Sequence, residues 1–137
     1  MPNGLASNEE ISGTKTAHAI CVVDDDSSVL RSLTRMLESD CLPARAFAEP
    51  RLFLQHVATH AVSVVVMDVW MERMTGMELL AHLCARSPRT RVIFITGHAD
   101  RAAEVTVMAA GAFAFLVKPF DGRQFLSEVH RALAIGD

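Results

Sequence analysis

The sequence predicts an α/β fold, a doubly wound parallel sheet of five strands with a helix after each. Three observations carry that expectation. Short apolar runs alternate five times with longer stretches of helical period; the strongest runs are unbroken, as in strands covered on both faces; and two of them end in aspartate. With 137 residues, half of them apolar and 21% charged, the chain has the size and apolar content of one domain with a real core.

The elements follow in order. The first 17 residues, ending at Ala17, are polar and rich in Ser, Thr, Asn and Gly, without the basic start and apolar core of a signal peptide. They are expected to form a disordered tail, leaving residues 18–137 as the domain. Ala19 to Asp24 reads as a central strand, after which Asp26 or Ser27 caps a helix through Val29, Leu30, Leu33, Met36 and Leu37 that ends near Ser39. Ala44 to Phe47 alternates like an edge strand, and Pro50 stands where a first-turn proline starts the helix of Leu52, Phe53, Leu54 and Val57. Val62 to Asp68 is the third strand, with Gly76 breaking the loop before a helix through Leu79, Leu80 and Leu83. Arg91 to Thr96 and Phe113 to Val117 are the last two strands; between them Asp100 caps a helix that stops at Gly111, a position suited to left-handed backbone. Asp121 caps the fifth helix, through Phe125, Leu126, Val129 and Leu133, and no second domain is expected after it.

Composition narrows the function. A net charge of -3 with scattered basic residues gives no footprint for a phosphate backbone, so direct nucleic-acid binding is not expected. Cys21, Cys41 and Cys84 are too few and too far apart for a disulfide framework or zinc knuckle, and read as buried, reduced thiols of a cytoplasmic protein. No run reaches the length of apolar residues a membrane helix needs, so a soluble protein with no membrane partner is expected.

The strand ends carry the chemistry. Right-handed crossovers put all the carboxyl ends on one edge of the sheet, where ligands bind in doubly wound folds. Asp24 and Asp25 follow the first strand, Asp68 the third, Thr96 the fourth and Lys118 the fifth. Three clustered carboxylates repel one another unless a cation joins them. Hard oxygen ligands with no His or Cys beside them favour Mg²⁺. Asp68 can then attack phosphorus in line, with Mg²⁺ and the Lys118 ammonium neutralising the equatorial oxygens. The Thr96 hydroxyl can donate to a phosphoryl oxygen once the group is attached.

The run CVVDDD, the segment VVVMDVWMERMTGMELL, the pair ITG and the triplet KPF resemble the signature segments of response-regulator receiver domains. The resemblance covers residues 18–135, and the spacing, with Thr96 28 and Lys118 50 residues beyond Asp68, is similar to the FixJ-like branch. It implies a flavodoxin-like sheet ordered 2-1-3-4-5, a phosphoacceptor at Asp68, and Mg²⁺ held by Asp25, Asp68 and the backbone carbonyl of Trp70, with Asp24 acting through water. The Lys118–Pro119 bond is often cis in that family. The resemblance also implies a phosphoryl donor, a sensor histidine kinase or phosphotransfer protein, and signalling in place of enzymatic turnover. Phe115 falls at an aromatic switch that follows Thr96 and reshapes the face of the fourth helix, fifth strand and fifth helix, a face also open to a homodimer.

Several positions depart from the pattern or have plainer readings. Glu72 stands where the family usually has proline, which is expected to loosen the loop, and its carboxylate to perturb metal affinity. Trp70 and His98 occupy the two variable positions that influence phosphoryl lifetime, and the indole is expected to shield the acyl phosphate from water. His56 and His60, four apart on the second helix, read as a solvated face, and Met67, Met71, Met74 and Met77 as core or loop packing. Asp26 is left as a cap. A small phosphotransferase working through an aspartyl phosphate is the rival class; it needs a cap domain for which the chain has no spare length. Two further readings are the receiver half of a longer DNA-binding regulator and a degenerate receiver that acts without phosphorylation.

Overall fold

A computed structural model describes residues 20–135. The expected tail, and the start of the first strand at Ala19, lie outside them. The elements are β1 (Ile20–Val23), α1 (Ser27–Ser39), β2 (Ala44–Phe47), α2 (Pro50–Val57), β3 (Val64–Asp68), α3 (Gly76–Arg86), β4 (Arg91–Thr96), α4 (Arg101–Ala109), β5 (Ala114–Val117) and α5 (Gly122–Ile135). All four pairings are parallel, in the order β2-β1-β3-β4-β5.

The apolar strands sort their side chains by pleat parity. Cys21, Val23, Val65, Met67, Val92 and Phe94 face one way, onto Phe53 and Leu54 of α2, Leu79, Leu80 and Leu83 of α3, and Val107 of α4. Ile20, Val22, Val64, Val66, Ile93 and Ile95 face the other way, onto Leu30, Leu33 and Leu37 of α1 and Phe125 and Val129 of α5. Helices on both faces make the sheet doubly wound, and each buried leucine or phenylalanine contributes about 2 kcal/mol. The outer strand β2 is the exposed one, with Arg45 and Ala46 open to solvent, as its alternating sequence predicts.

The caps settle several choices. Asp26 is the α1 cap, accepting from the Ser28 and Val29 amides, and Asp100 accepts from the Ala103 amide ahead of α4. Asp121 accepts from the Arg123 amide, and Gly111, at φ +112°, ends the α4 turn. β3 begins two residues later than expected, because the carbonyls of Val62 and Ser63 go to the Thr90 hydroxyl and the Arg91 amide. α3 starts on a capping box in which Thr75 and Glu78 satisfy each other's amides, so Gly76 is its first residue and not merely a loop breaker.

Two expectations need correction. Only Cys21 is buried; Cys41 and Cys84 are exposed. Cys41 sits at φ +60° in the turn after α1, and Cys84 lies on α3 with its thiol reaching only the Ala110 carbonyl, at 3.7 Å. Burial pushes the Cys21 thiol up to about 12. His60 is not on the second helix, which ends at Val57; it stacks on His56 from the following turn, ring centroids 4.2 Å apart, and both reach the surface. Met67 and Met71 are buried, and Met74 and Met77 pack against the same core, as their plain reading has it.

Candidate functional site

Four strand ends and the loops that follow them build the site at the carboxyl edge of the sheet. β1 delivers Asp24 and Asp25, β3 delivers Asp68, β4 delivers Thr96, and Lys118 follows β5. The edge is tied together by main-chain bonds: the Asp24 amide donates to the Phe47 carbonyl at 3.1 Å, and the Lys118 amide to the Thr96 carbonyl at 2.8 Å. The Lys118–Pro119 bond is cis.

Each carboxylate has one oxygen held by a main-chain N–H. Asp24 Oδ1 accepts from the Asp26 amide at 2.9 Å, Asp68 Oδ1 from the Trp70 amide at 3.1 Å, and Asp25 Oδ2 from the Glu72 amide at 2.9 Å. Asp24 is 2% exposed, and its Oδ2 is buried without a hydrogen-bond partner. Burial raises the Asp24 carboxyl to about 6; the charges of Asp68 and Asp25 add to the rise, while the Asp26 amide and Lys118 oppose it. Asp68 is also raised, first by burial and then by Asp25, against the Trp70 amide and Lys118. Lys118 therefore acts on both carboxylates as their compensating cation.

Among the described residues no three His, Cys, Asp or Glu side chains form a group able to hold a metal ion unaided. A hard cation that keeps several waters needs fewer side chains. The all-carboxylate donor set and the orphaned oxygen of Asp24 fit such an ion.

The surrounding residues are placed by the two following loops. Thr96 is 1% exposed, its hydroxyl oxygen accepting from the His98 amide at 3.2 Å. Trp70, 43% exposed, lines an open depression with His98, Ala99, Asp100 and Arg101, so the two variable positions share one wall. Phe115 is half-buried against the core on the α2–α4 face. Asp25 and Glu72 line a neighbouring hollow with Glu49, Met71 and Arg73. The loop from Val69 to Thr75 lacks proline yet is fastened by the buried side chains of Val69 and Met71 and by the Gly76 amide on the Val69 carbonyl. Sequence reasoning missed the Glu72–Asp25 bond. A main-chain donor leaves no side-chain signature, and the single clue was that residue 72 is not proline.

The family model for the response regulator receiver domain matches residues 20–130. The response regulator protein TmoT of Ectopseudomonas mendocina is 33% identical over 116 residues, which are 85% of this chain and 53% of TmoT. The chain thus spans about half the length of that relative. Among solved structures, the beryllofluoride-activated NtrC4 receiver domain dimer aligns with TM-score 0.83 at 30% identity, covering 88% of this chain and 99% of that one. FixJ-N aligns with TM-score 0.81 at 31% identity, covering 87% and 95%. Sheet order, crossovers and the match over nearly every described residue agree: the chain belongs to the response regulator receiver domain family of two-component systems.

Proposed function

We propose that this receiver takes a phosphoryl group onto Asp68 from a sensor histidine kinase or phosphotransfer protein, with Mg²⁺ as cofactor. The observation that carries the reading is the meeting of three carboxylates with one lysine, the buried Asp24 Oδ2 left without a partner. Asp25, Asp68 and the Trp70 carbonyl would hold the ion, with Asp24 acting through water. Mg²⁺ supplies neutralisation of charge on the transferring group. The Asp68 carboxylate attacks phosphorus, the bond from phosphorus to the donor nitrogen breaks, and the nitrogen leaves with its electron pair. Lys118 offers its ammonium to the transferring oxygens. The Thr96 hydroxyl then donates to a phosphoryl oxygen, and Phe115 follows it, altering the face of α4, β5 and α5. Exposed Val105 and Met108 on α4 support a partner-binding role for that face. Trp70 and His98, lining one depression, support a role in limiting water at the acyl phosphate. We place the protein in the cytoplasm with its kinase. Among the described residues no helix is long and apolar enough to cross a membrane.

Titrating Mg²⁺ and then acetyl phosphate, while following the fluorescence of Trp70 and the intact mass, tests the reading. Wild type should respond to both additions and gain one phosphoryl group; Asp68→Asn should lose the donor response and the mass gain. Phosphorylation persisting in Asp68→Asn at the wild-type level would remove Asp68 from its role.

A further inference from the structure

The three carboxylates are fastened by different means. Asp24 and Asp68 each take the amide two residues ahead, a local turn that the chain makes by itself, and both are largely withdrawn from solvent. Asp25 is exposed, on the loop after β1, and its oxygen is held by a donor 47 residues away. Without that donor an exposed aspartate samples several rotamers, and a ligand must be ordered each time an ion arrives. The donor exists because residue 72 is not proline; proline, which the family resemblance puts there, has no N–H to give.

We propose that the main-chain N–H of Glu72 is the positioning group for Asp25, fixing its carboxylate through Oδ2 so that the other oxygen is presented to the cation. The inference rests on the reading of Asp25 as a cation ligand. It makes the amide of residue 72, and not its carboxylate, the feature that matters. The bond also joins the loop after β3 to the loop after β1, so the segment that follows the phosphoacceptor is tied to the ligand beside it. An outer partner of this kind orients a metal ligand without touching the metal.

The test is Mg²⁺ affinity, read by calorimetry and by Trp70 fluorescence, in wild type, Glu72→Pro and Glu72→Ala. Glu72→Pro should raise the dissociation constant about tenfold, the usual effect of removing an outer partner. Glu72→Ala restores the N–H without the carboxylate and should recover wild-type affinity to within about twofold. Equal affinity in wild type and Glu72→Pro, or an equal loss in Glu72→Pro and Glu72→Ala, overturns the proposal. Should Glu72→Pro fail to unfold cooperatively, hydrogen exchange at the Glu72 amide decides instead. Exchange should be about tenfold faster in Asp25→Ala than in wild type, and equal rates overturn the proposal. A wild type silent to Mg²⁺ would remove the cation site itself, a result distinct from intact wild-type binding that Glu72→Pro leaves untouched.

Discussion

Asp24 shows what a single residue contributes at this edge. Its carboxyl is 2% exposed, and burial holds it at about 6 in place of the ordinary 3.8, with the neighbouring carboxylates adding to the rise. Between those two values the folded chain keeps a proton that the unfolded chain has lost. Stability of the metal-free protein therefore falls as pH rises through that window. His56, held below its usual range by burial, slopes the other way, so the informative comparison is with Asp24→Asn, which leaves His56 in place. From about pH 5 to about pH 7 wild type should lose about 1 kcal/mol relative to Asp24→Asn in urea unfolding. Mg²⁺ at about pH 7 should stabilise wild type more than Asp24→Asn, returning part of that loss; parallel curves for the two proteins would show that Asp24 is not strained by its burial. Cys41 is a second cost written in one residue. It occupies left-handed backbone after α1, where the Leu42 amide closes onto the Leu37 carbonyl. Cys41→Gly should stabilise by about 1 kcal/mol, measured by thermal unfolding under reducing conditions. Asp24, Asp25, Asp68, Thr96 and Lys118 were legible because strand ends announce themselves. The left-handed cysteine and the Glu72 donor were not, because backbone geometry at a non-glycine residue and a main-chain N–H carry no letter of their own.

At the scale of elements, the run from β3 to α3 couples stability to the site. The Thr75 and Glu78 box starts α3, and Gly76 passes so close under the strand end that an added Cβ would lie 2.5 Å from the Asp68 carbonyl oxygen and 2.6 Å from Phe94 Cε1. Neither neighbour can yield cheaply, one being main chain and the other a fully buried ring. Gly76→Ala should cost about 3 kcal/mol or more and weaken Mg²⁺ binding as Asp68 is displaced, read by urea unfolding and calorimetry. A loss below about 0.5 kcal/mol would mean the loop gives way without consequence. All five strands and five helices were readable from apolar runs and helical period, while their ends were less so. Val62 and Ser63 extend the run of β3, but the Val62 carbonyl goes to the Thr90 hydroxyl and the Ser63 carbonyl to the amide of Arg91. The T-x-x-E signature before α3 was present in the sequence, overshadowed by the glycine beside it.

For the whole molecule, periodicity predicts a two-faced parallel sheet, but the strand order came from the family resemblance, since no local signal says which strands adjoin. The observed order puts β1 and β3 side by side at the centre, which is what brings Asp24 and Asp25 to Asp68, with Lys118 arriving from the edge strand β5. That same edge carries α4, whose Val105 is 56% exposed and Met108 41% exposed, a pair of apolar side chains left open beside the half-buried Phe115. On the proposed reading, phosphorylation repacks this surface and a second copy covers it, since burying two apolar side chains per subunit adds a few kcal/mol to association. Beryllofluoride with Mg²⁺, standing in for the phosphoryl group, should shift wild type from monomer toward dimer in sedimentation velocity. Val105→Asp puts an uncompensated charge into that contact and should weaken the dimer at least about tenfold while leaving Mg²⁺ affinity unchanged. A wild type that stays monomeric under activation would reject self-association, and a Val105→Asp protein that dimerises like wild type would move the contact to another face.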